Sequence, residues 1–197
     1  MKTKDYFNDY IKVFLEQNAK LNLISKNDEK FLWEKHIFDS LSIEKFFEKY
    51  GNNFKTLLDF GTGGGFPSVP VALAYPELPV TALDSIGKKI NAVTEIKEAL
   101  HIDNLTTVCS RVENFDGKFD IVTTRAVASL DKIIHYAIPK LKNDGYFVAY
   151  KSIKAAEEIK EAQKSLQKFK AKVIDIIEYE LPLEQNHTRN LVIIKKY

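Results

Sequence analysis

Cysteine, arginine and glycine are all scarce in this 197-residue chain, and each scarcity excludes something. The lone Cys109 rules out an intramolecular disulfide framework and fits a reducing compartment, so a cytoplasmic protein is expected. No apolar run reaches the length of a membrane span. The opening Met-Lys-Thr-Lys-Asp-Tyr leads into no hydrophobic stretch, so neither signal peptide nor transmembrane helix is expected. Internal repeats and low-complexity tracts are absent as well. A net charge of +2 is too small for a chain that binds nucleic acid by bulk charge, so any such site must come from local clustering. Only eight glycines occur, and four of them stand together at 61, 63, 64 and 65. The 45% hydrophobic content supports a real core, and the length fits one domain with an appendage.

What is present centres on those glycines. Leu57 to Phe60 is an apolar run interrupted only by Asp59, and the glycine turn follows it directly. A strand ending in such a turn lets backbone amides approach a ligand that any Cβ would hold off. The next apolar run closes at Asp84, 23 residues after Gly61. An acid at that distance can accept hydrogen bonds from both hydroxyls of a ribose. The turn is not a dinucleotide fingerprint, because Phe66 stands where Gly-x-Gly-x-x-Gly needs its last glycine. Nor is it a phosphate loop, since no Gly-Lys-Ser/Thr follows. Asp59-x-Gly61-x-Gly63-x-Gly65 suits S-adenosylmethionine instead, the backbone receiving the amino-acid moiety and Asp84 the ribose.

Residues 1–50 read as a helical segment, with Phe7, Tyr10, Ile11 and Phe14 at helical spacing. A second pattern, Trp33, Ile37, Leu41, follows an Asn27-Asp28 start signal. Gly51-Asn52-Asn53 separates this segment from a domain at 51–197. Strands are predicted at 56–60, 79–84, 106–109, 119–124, 145–150, 171–181 and 189–196, with helices at 67–75, 86–100, 129–141 and 153–169. Alternation of this kind predicts an α/β fold: a mostly parallel seven-stranded sheet covered by helices, with the last strand reversed. That outline resembles the Rossmann-like fold of the S-adenosylmethionine-dependent methyltransferases.

Ligands of an open parallel sheet bind beyond the carboxyl ends of its strands. The predicted strands place Lys88, Lys89, Arg111, Arg125, Lys151 and Arg189 at that edge, including all three arginines. Arginine forks grip phosphate and stack on bases, which suggests a nucleic-acid substrate; Arg125 could equally be a structural ion-pair partner. Elsewhere the lysines of 154–172 mix with acids as on a solvated helix face. The segment after the fourth strand is Thr123-Thr124-Arg125-Ala126, not the Asn/Asp-Pro-Pro-aromatic turn of exocyclic-amine methylation. Cys109 lies in an apolar strand and reads as an inert core thiol rather than a nucleophile. No cluster with metal-ligand spacing appears, so no metal is expected. A target needing no deprotonation, such as N7 of guanine, fits the lack of an evident general base; catalysis would then rest on positioning.

Several motifs together resemble the RsmG (GidB) family, bacterial methyltransferases that make 7-methylguanosine in 16S rRNA. They are Asn22-Leu23, Trp33 to Ser42, Asp59 to Pro67, Leu83-Asp84-Ser85-x-x-Lys88-Lys89, Ser110-Arg111-Val112-Glu113 and Arg125-Ala126-x-Ala128-Ser129-Leu130, spread over nearly the whole chain. The resemblance implies that Gly61 and Phe66 border the methionine part of the cofactor, that Asp84 holds the ribose, and that Val112 and Glu113 flank the adenine; Asp59 and Gly63 of the turn complete the expected cofactor site. It puts Arg125 beside the cofactor near the incoming base, as the nearest candidate for a catalytic residue. Asn22, His36, Lys88, Lys89, Arg111, Lys151 and Arg189 would line the RNA side. By spacing alone, His36 and Asp39 read as a structural pair on one helix face, Phe66 as either core or cofactor contact, and Trp33 as packing. The family often has glycine where this chain has Ser68, a change a helix tolerates well. A small-molecule methyltransferase or a non-catalytic binding module are the competing readings, and nothing in the chain demands more than a monomer.

Overall fold

The computed structural model describes residues 2–185 and 187–197. Seven strands form one sheet: β1 (Leu57–Phe60), β2 (Val80–Asp84), β3 (Leu105–Cys109), β4 (Phe119–Arg125), β5 (Leu141–Ser152), β6 (Ala171–Glu180) and β7 (Thr188–Lys196). Their order is β3-β2-β1-β4-β5-β7-β6. The first five pair in parallel, and β7 runs antiparallel to both β5 and β6. The strand order turns back between β1 and β4, the place where open α/β sheets bind ligands.

Helices follow in chain order. The N-terminal segment holds α1 (Asn8–Leu21), α2 (Lys26–Glu29), a π-helical turn (Trp33–Phe38), α3 (Asp39–Leu41) and α4 (Glu44–Tyr50). The connections between strands supply α5 (Ser68–Ala74), α6 (Gly87–Ala99), α7 (Leu130–Ala137), α8 (Ala155–Glu161) and α9 (Gln163–Lys168). The start signal of α2 is Ser25 rather than Asn27-Asp28: its side chain accepts from the Asp28 amide and so caps the helix. The helix predicted at 129–141 stops at Ala137, and a 3-10 turn with Pro139 carries the chain on. The predicted 153–169 helix is two short helices on either side of Ala162. β5 starts earlier than predicted because Leu141 pairs with Phe119 before a register irregularity, and the polar 142–144 stretch hides that start in the sequence.

Successive strand residues point to opposite faces, and both faces are buried. Leu57, Val80, Ile121, Val148 and Ile193 join Phe7, Tyr10, Phe14, Ile37 and Phe46 of the N-terminal segment in one apolar cluster. Leu58, Leu83, Val122, Phe147 and Val192 join Leu130, Ile133, Ile134 and Leu166 in the other. Trp33, as expected of a packing residue, lies against the first cluster, 5.9 Å from Phe7 between ring centroids. Cys109 departs from expectation. It is exposed, because β3 is the sheet's edge strand and its apolar run is only partly covered.

Candidate active site

The glycine turn leaves β1 with Gly61 at φ +70°, Gly63 at φ +59° and Gly65 at φ +91°, a region costly for residues with a Cβ. A Cβ built on Gly61 would lie 2.4 Å from Val127 Cγ2, so a side chain there would have to displace Val127 as well as strain the backbone. Asp84, at the end of β2, clamps the turn. Its Oδ2 accepts from the Gly63 amide at 2.9 Å and its Oδ1 from the Ile86 amide at 2.9 Å. An ionised carboxylate has about four acceptor sites, so each oxygen keeps one for a ligand hydroxyl.

A cavity of about 370 Å³ opens over the ends of β1, β2 and β3. Gly61, Asp84, Arg111, Val112, Glu113 and Val127 are among its lining residues. A volume of this order suits a nucleoside-sized ligand, and the cavity brings together four of the eight expected cofactor contacts, Gly61, Asp84, Val112 and Glu113, but not Gly63 or Arg125. Arg111, expected on the RNA side, is exposed and lines this cavity too.

Asp59 and Phe66 do not line it. Asp59 is wholly buried (0% exposed), its Oδ1 accepting from Thr123 Oγ1 at 3.1 Å. Burial pushes its carboxyl up to about 7; Thr62, Thr123, Arg125 and the Ser68 backbone offset that only in part. Asp59 therefore braces the turn from beneath. Phe66 is 4% exposed and packs against Tyr10, Phe14 and His36, so of its two readings the structure realises core packing. Ser68 is buried and its hydroxyl lies 2.5 Å from that of Thr62, tying the turn to the first residue of α5.

A second cavity, of about 320 Å³, lies over the ends of β4, β5 and β7. Its walls include Asp39, Arg125, Val127, Lys151, Glu158 and Arg189. The cations here are largely taken up by internal partners. Arg125 Nη1 donates to the Lys35 carbonyl and to Asp39 Oδ2, both at 2.9 Å, and Nη2 donates to His36 Nδ1 at 2.9 Å. The guanidinium also faces the Phe66 ring at 5.2 Å. Asp39 is 1% exposed, and its other oxygen accepts from the Tyr179 hydroxyl at 2.7 Å. Tyr150, beside them, donates to the Ser40 carbonyl at 2.6 Å. Arg125 is thus an ion-pair partner that latches the N-terminal segment to β4 while one side of it faces the cavity.

His36 and Asp39 do not pair with each other as their spacing suggests; they converge on Arg125 from another element. Because Arg125 donates to Nδ1, the neutral imidazole carries its proton on Nε2. Burial, then the Arg125 charge, hold His36 down at about 4. It is a buried link and not a free cation for RNA. Lys151 needs the same correction. It is 8% exposed, donating to the Ala128 carbonyl at 2.7 Å and pairing with Glu158 Oε2 at 2.8 Å. Of the remaining residues expected on the RNA side, Lys88 and Asn22 are exposed, and Lys89 and Arg189 are half-buried. Asn22 closes α1 in a left-handed conformation (φ +50°).

Sequence reasoning did not single out Val127, Tyr150, Tyr179 or Glu158. Tyr150 and Tyr179 bond to residues 110 and 140 positions away, and Glu158 to the Leu130 amide 28 positions away, spans that no local pattern encodes. The structural readings of Arg125 as an ion-pair partner and of His36 with Asp39 as a pair were the visible signs of the network.

A parallel sheet with a reversed seventh strand, a glycine turn after β1 and an acid ending β2 defines the Rossmann-like methyltransferase class. Solved structures agree in fold. TrmN from Thermus thermophilus matches with a TM-score of 0.63 at 15% identity, over 80% of this chain, which spans 48% of that longer one. The M. jannaschii TYW2 structure in complex with AdoMet matches with a TM-score of 0.60 at 18% identity, over 80% of this chain and 75% of that one. The chain belongs to the GidB family, rRNA small subunit methyltransferase G, whose model matches residues 3–192. Among curated relatives, the Ribosomal RNA small subunit methyltransferase G of Staphylococcus saprophyticus is 37% identical over 99% of this chain and 82% of its own length. That of Bacillus subtilis is 34% identical over 98% and 82%.

Proposed function

We propose that this chain transfers the methyl group of S-adenosylmethionine to N7 of a guanine in the 16S rRNA of the small ribosomal subunit. The observation that carries the reading is the pair of adjoining cavities in a chain of this family. One is clamped by Asp84 and sized for a nucleoside; the other is rimmed by Arg125, Lys151 and Arg189. Bound S-adenosylmethionine supplies a sulfonium methyl; the N7 lone pair bonds to that carbon as the C–S pair passes to sulfur, and no proton need leave. In the first cavity Asp84 would accept from the ribose hydroxyls, Val112 and Glu113 would flank the adenine, and Gly61 and Gly63 would pass the methionine part over the turn. Asp59 acts beneath them by holding the turn in shape.

The second cavity fits a target needing no base. Its two carboxylates, Asp39 and Glu158, are each tied to a cation, Arg125 and Lys151 respectively, so neither stands ready to take a proton. The side chains then act by orienting the base and excluding water. Lys88, Lys89, Arg111, Asn22 and Arg189 would meet the RNA backbone. No helix among the described residues is long and apolar enough to cross a membrane. A 16S rRNA substrate would put the reaction in the cytoplasm.

Incubation with methyl-tritiated S-adenosylmethionine and unmodified small-subunit rRNA, naked and as assembled particles, tests this. Digestion to nucleosides should give label that co-migrates with 7-methylguanosine. Binding of S-adenosylmethionine without label in either RNA would defeat it.

A further inference from the structure

Within that reading, we propose that Val127 is the partition between the two cavities and the residue that sets the transferable methyl group against the incoming base. Of the lining residues, Val127 alone is shared by both cavities. It is 46% exposed, an apolar side chain standing between two openings whose other walls include Asp84, Arg111, Arg125 and Lys151. Its Cγ2 occupies the space over Gly61 that a Cβ there would need, so the turn and the valine are matched in shape.

The segment that carries Val127 is held on both sides. Before it, Arg125 is fixed by Asp39, His36 and the Lys35 carbonyl, and Ala126 takes a left-handed conformation (φ +56°) that turns the chain outward. After it, Lys151 holds the Ala128 carbonyl, and Glu158 Oε2 accepts from the Leu130 amide at 2.6 Å. Two partly buried ion pairs thus frame three residues, and a non-glycine left-handed backbone persists only where its surroundings impose it. This is the build of a rigid wall.

The chemistry explains why the wall is aliphatic. A sulfonium methyl alkylates strong nucleophiles, so a cysteine thiolate or a lysine amine at this point would compete with the target nitrogen. A branched aliphatic side chain instead shields the methyl from water and restricts the angle at which a ring nitrogen can approach.

The test compares wild type with Val127→Ala and Val127→Thr, reading S-adenosylmethionine affinity by calorimetry and methyl transfer to small-subunit RNA in single turnovers. Val127→Ala should leave cofactor affinity and the half-saturating RNA concentration within about threefold while slowing transfer about 10- to 100-fold. Val127→Thr keeps the shape and should restore most of the rate. An unchanged rate in Val127→Ala, with wild type active, overturns the assignment alone. So does a loss of cofactor affinity that accounts for the whole rate change, since Val127 would then be only a wall of the cofactor cavity. A wild type that binds S-adenosylmethionine but labels no RNA counts against the methyltransferase reading and takes the assignment with it.

Discussion

The two cavities sit side by side on one sheet edge yet are built in different ways. The one over β1 to β3 is made from short-range parts: a glycine turn, an acid at the end of the next strand, and a few residues after β3. Its key carboxylate, Asp84, is held by backbone amides 21 and 2 residues away and keeps acceptor capacity for a ligand. The one over β4, β5 and β7 is made from long-range pairs. Arg125 meets Asp39 across 86 residues, and Tyr179 meets Asp39 across 140. There the charges are largely matched inside the protein before any substrate arrives. A cation at the rim of a sheet is therefore not by itself a cation for RNA. Its partners decide.

The largest effect is expected from breaking the second cavity's central pair. Asp39→Ala removes the acceptor of both Arg125 and Tyr179 where the carboxylate is almost wholly buried, and should cost about 3–5 kcal/mol of stability. Denaturant unfolding measures it. A loss below about 1 kcal/mol would mean that the network contributes little and that the contrast between the cavities is overdrawn.

A smaller effect separates the buried acid under the turn from the buried histidine of the latch. Asp59, raised to about 7, stays protonated in the fold where the unfolded chain would ionise, between about pH 4 and 7. Its favourable contribution is present at low pH and is lost as pH rises through 7. His36, held at about 4, has the opposite sign: its contribution is present above about pH 6.5 and is lost as pH falls through 4. In Asp59→Asn the first dependence vanishes, so its stability relative to wild type should climb across pH 4–7 by up to ~1.4 kcal/mol per unit, then level off. A flat difference across that range would show that Asp59 is ionised in the fold.

The smallest effect distinguishes free from engaged cations. Arg111→Ala should reduce the slope of log affinity against log salt for small-subunit RNA by about 0.7. Lys151→Met should leave that slope alone and appear as lost stability, because its ammonium already holds Glu158 and the Ala128 carbonyl. Equal slope changes in both would erase the difference between the two groups.

How legible each part was follows from the range of the forces that make it. Strand and helix positions, the reversed last strand and the Asp59 to Asp84 module were readable because hydrophobic period, turn chemistry and strand-end acids are local signals. The lining of the first cavity was readable in the same way, since Gly61, Asp84, Val112 and Glu113 each end or follow a strand of the parallel sheet. Local spacing misled where the outcome depended on the assembled neighbourhood, as it did for His36, whose partner lies 89 residues away, for the buried Lys151 and for the edge-strand Cys109.

The sequence by itself determined the layered α/β fold, the glycine turn and the acid that clamps it, because each depends on residues within about two dozen positions of one another. Only the tertiary structure decided which edge cations are free, that Asp59 is sealed beneath the turn, and that Val127 stands between the cavities. Those outcomes depend on burial and on partners dozens of residues away, and desolvation acts on an assembled neighbourhood that no stretch of chain contains.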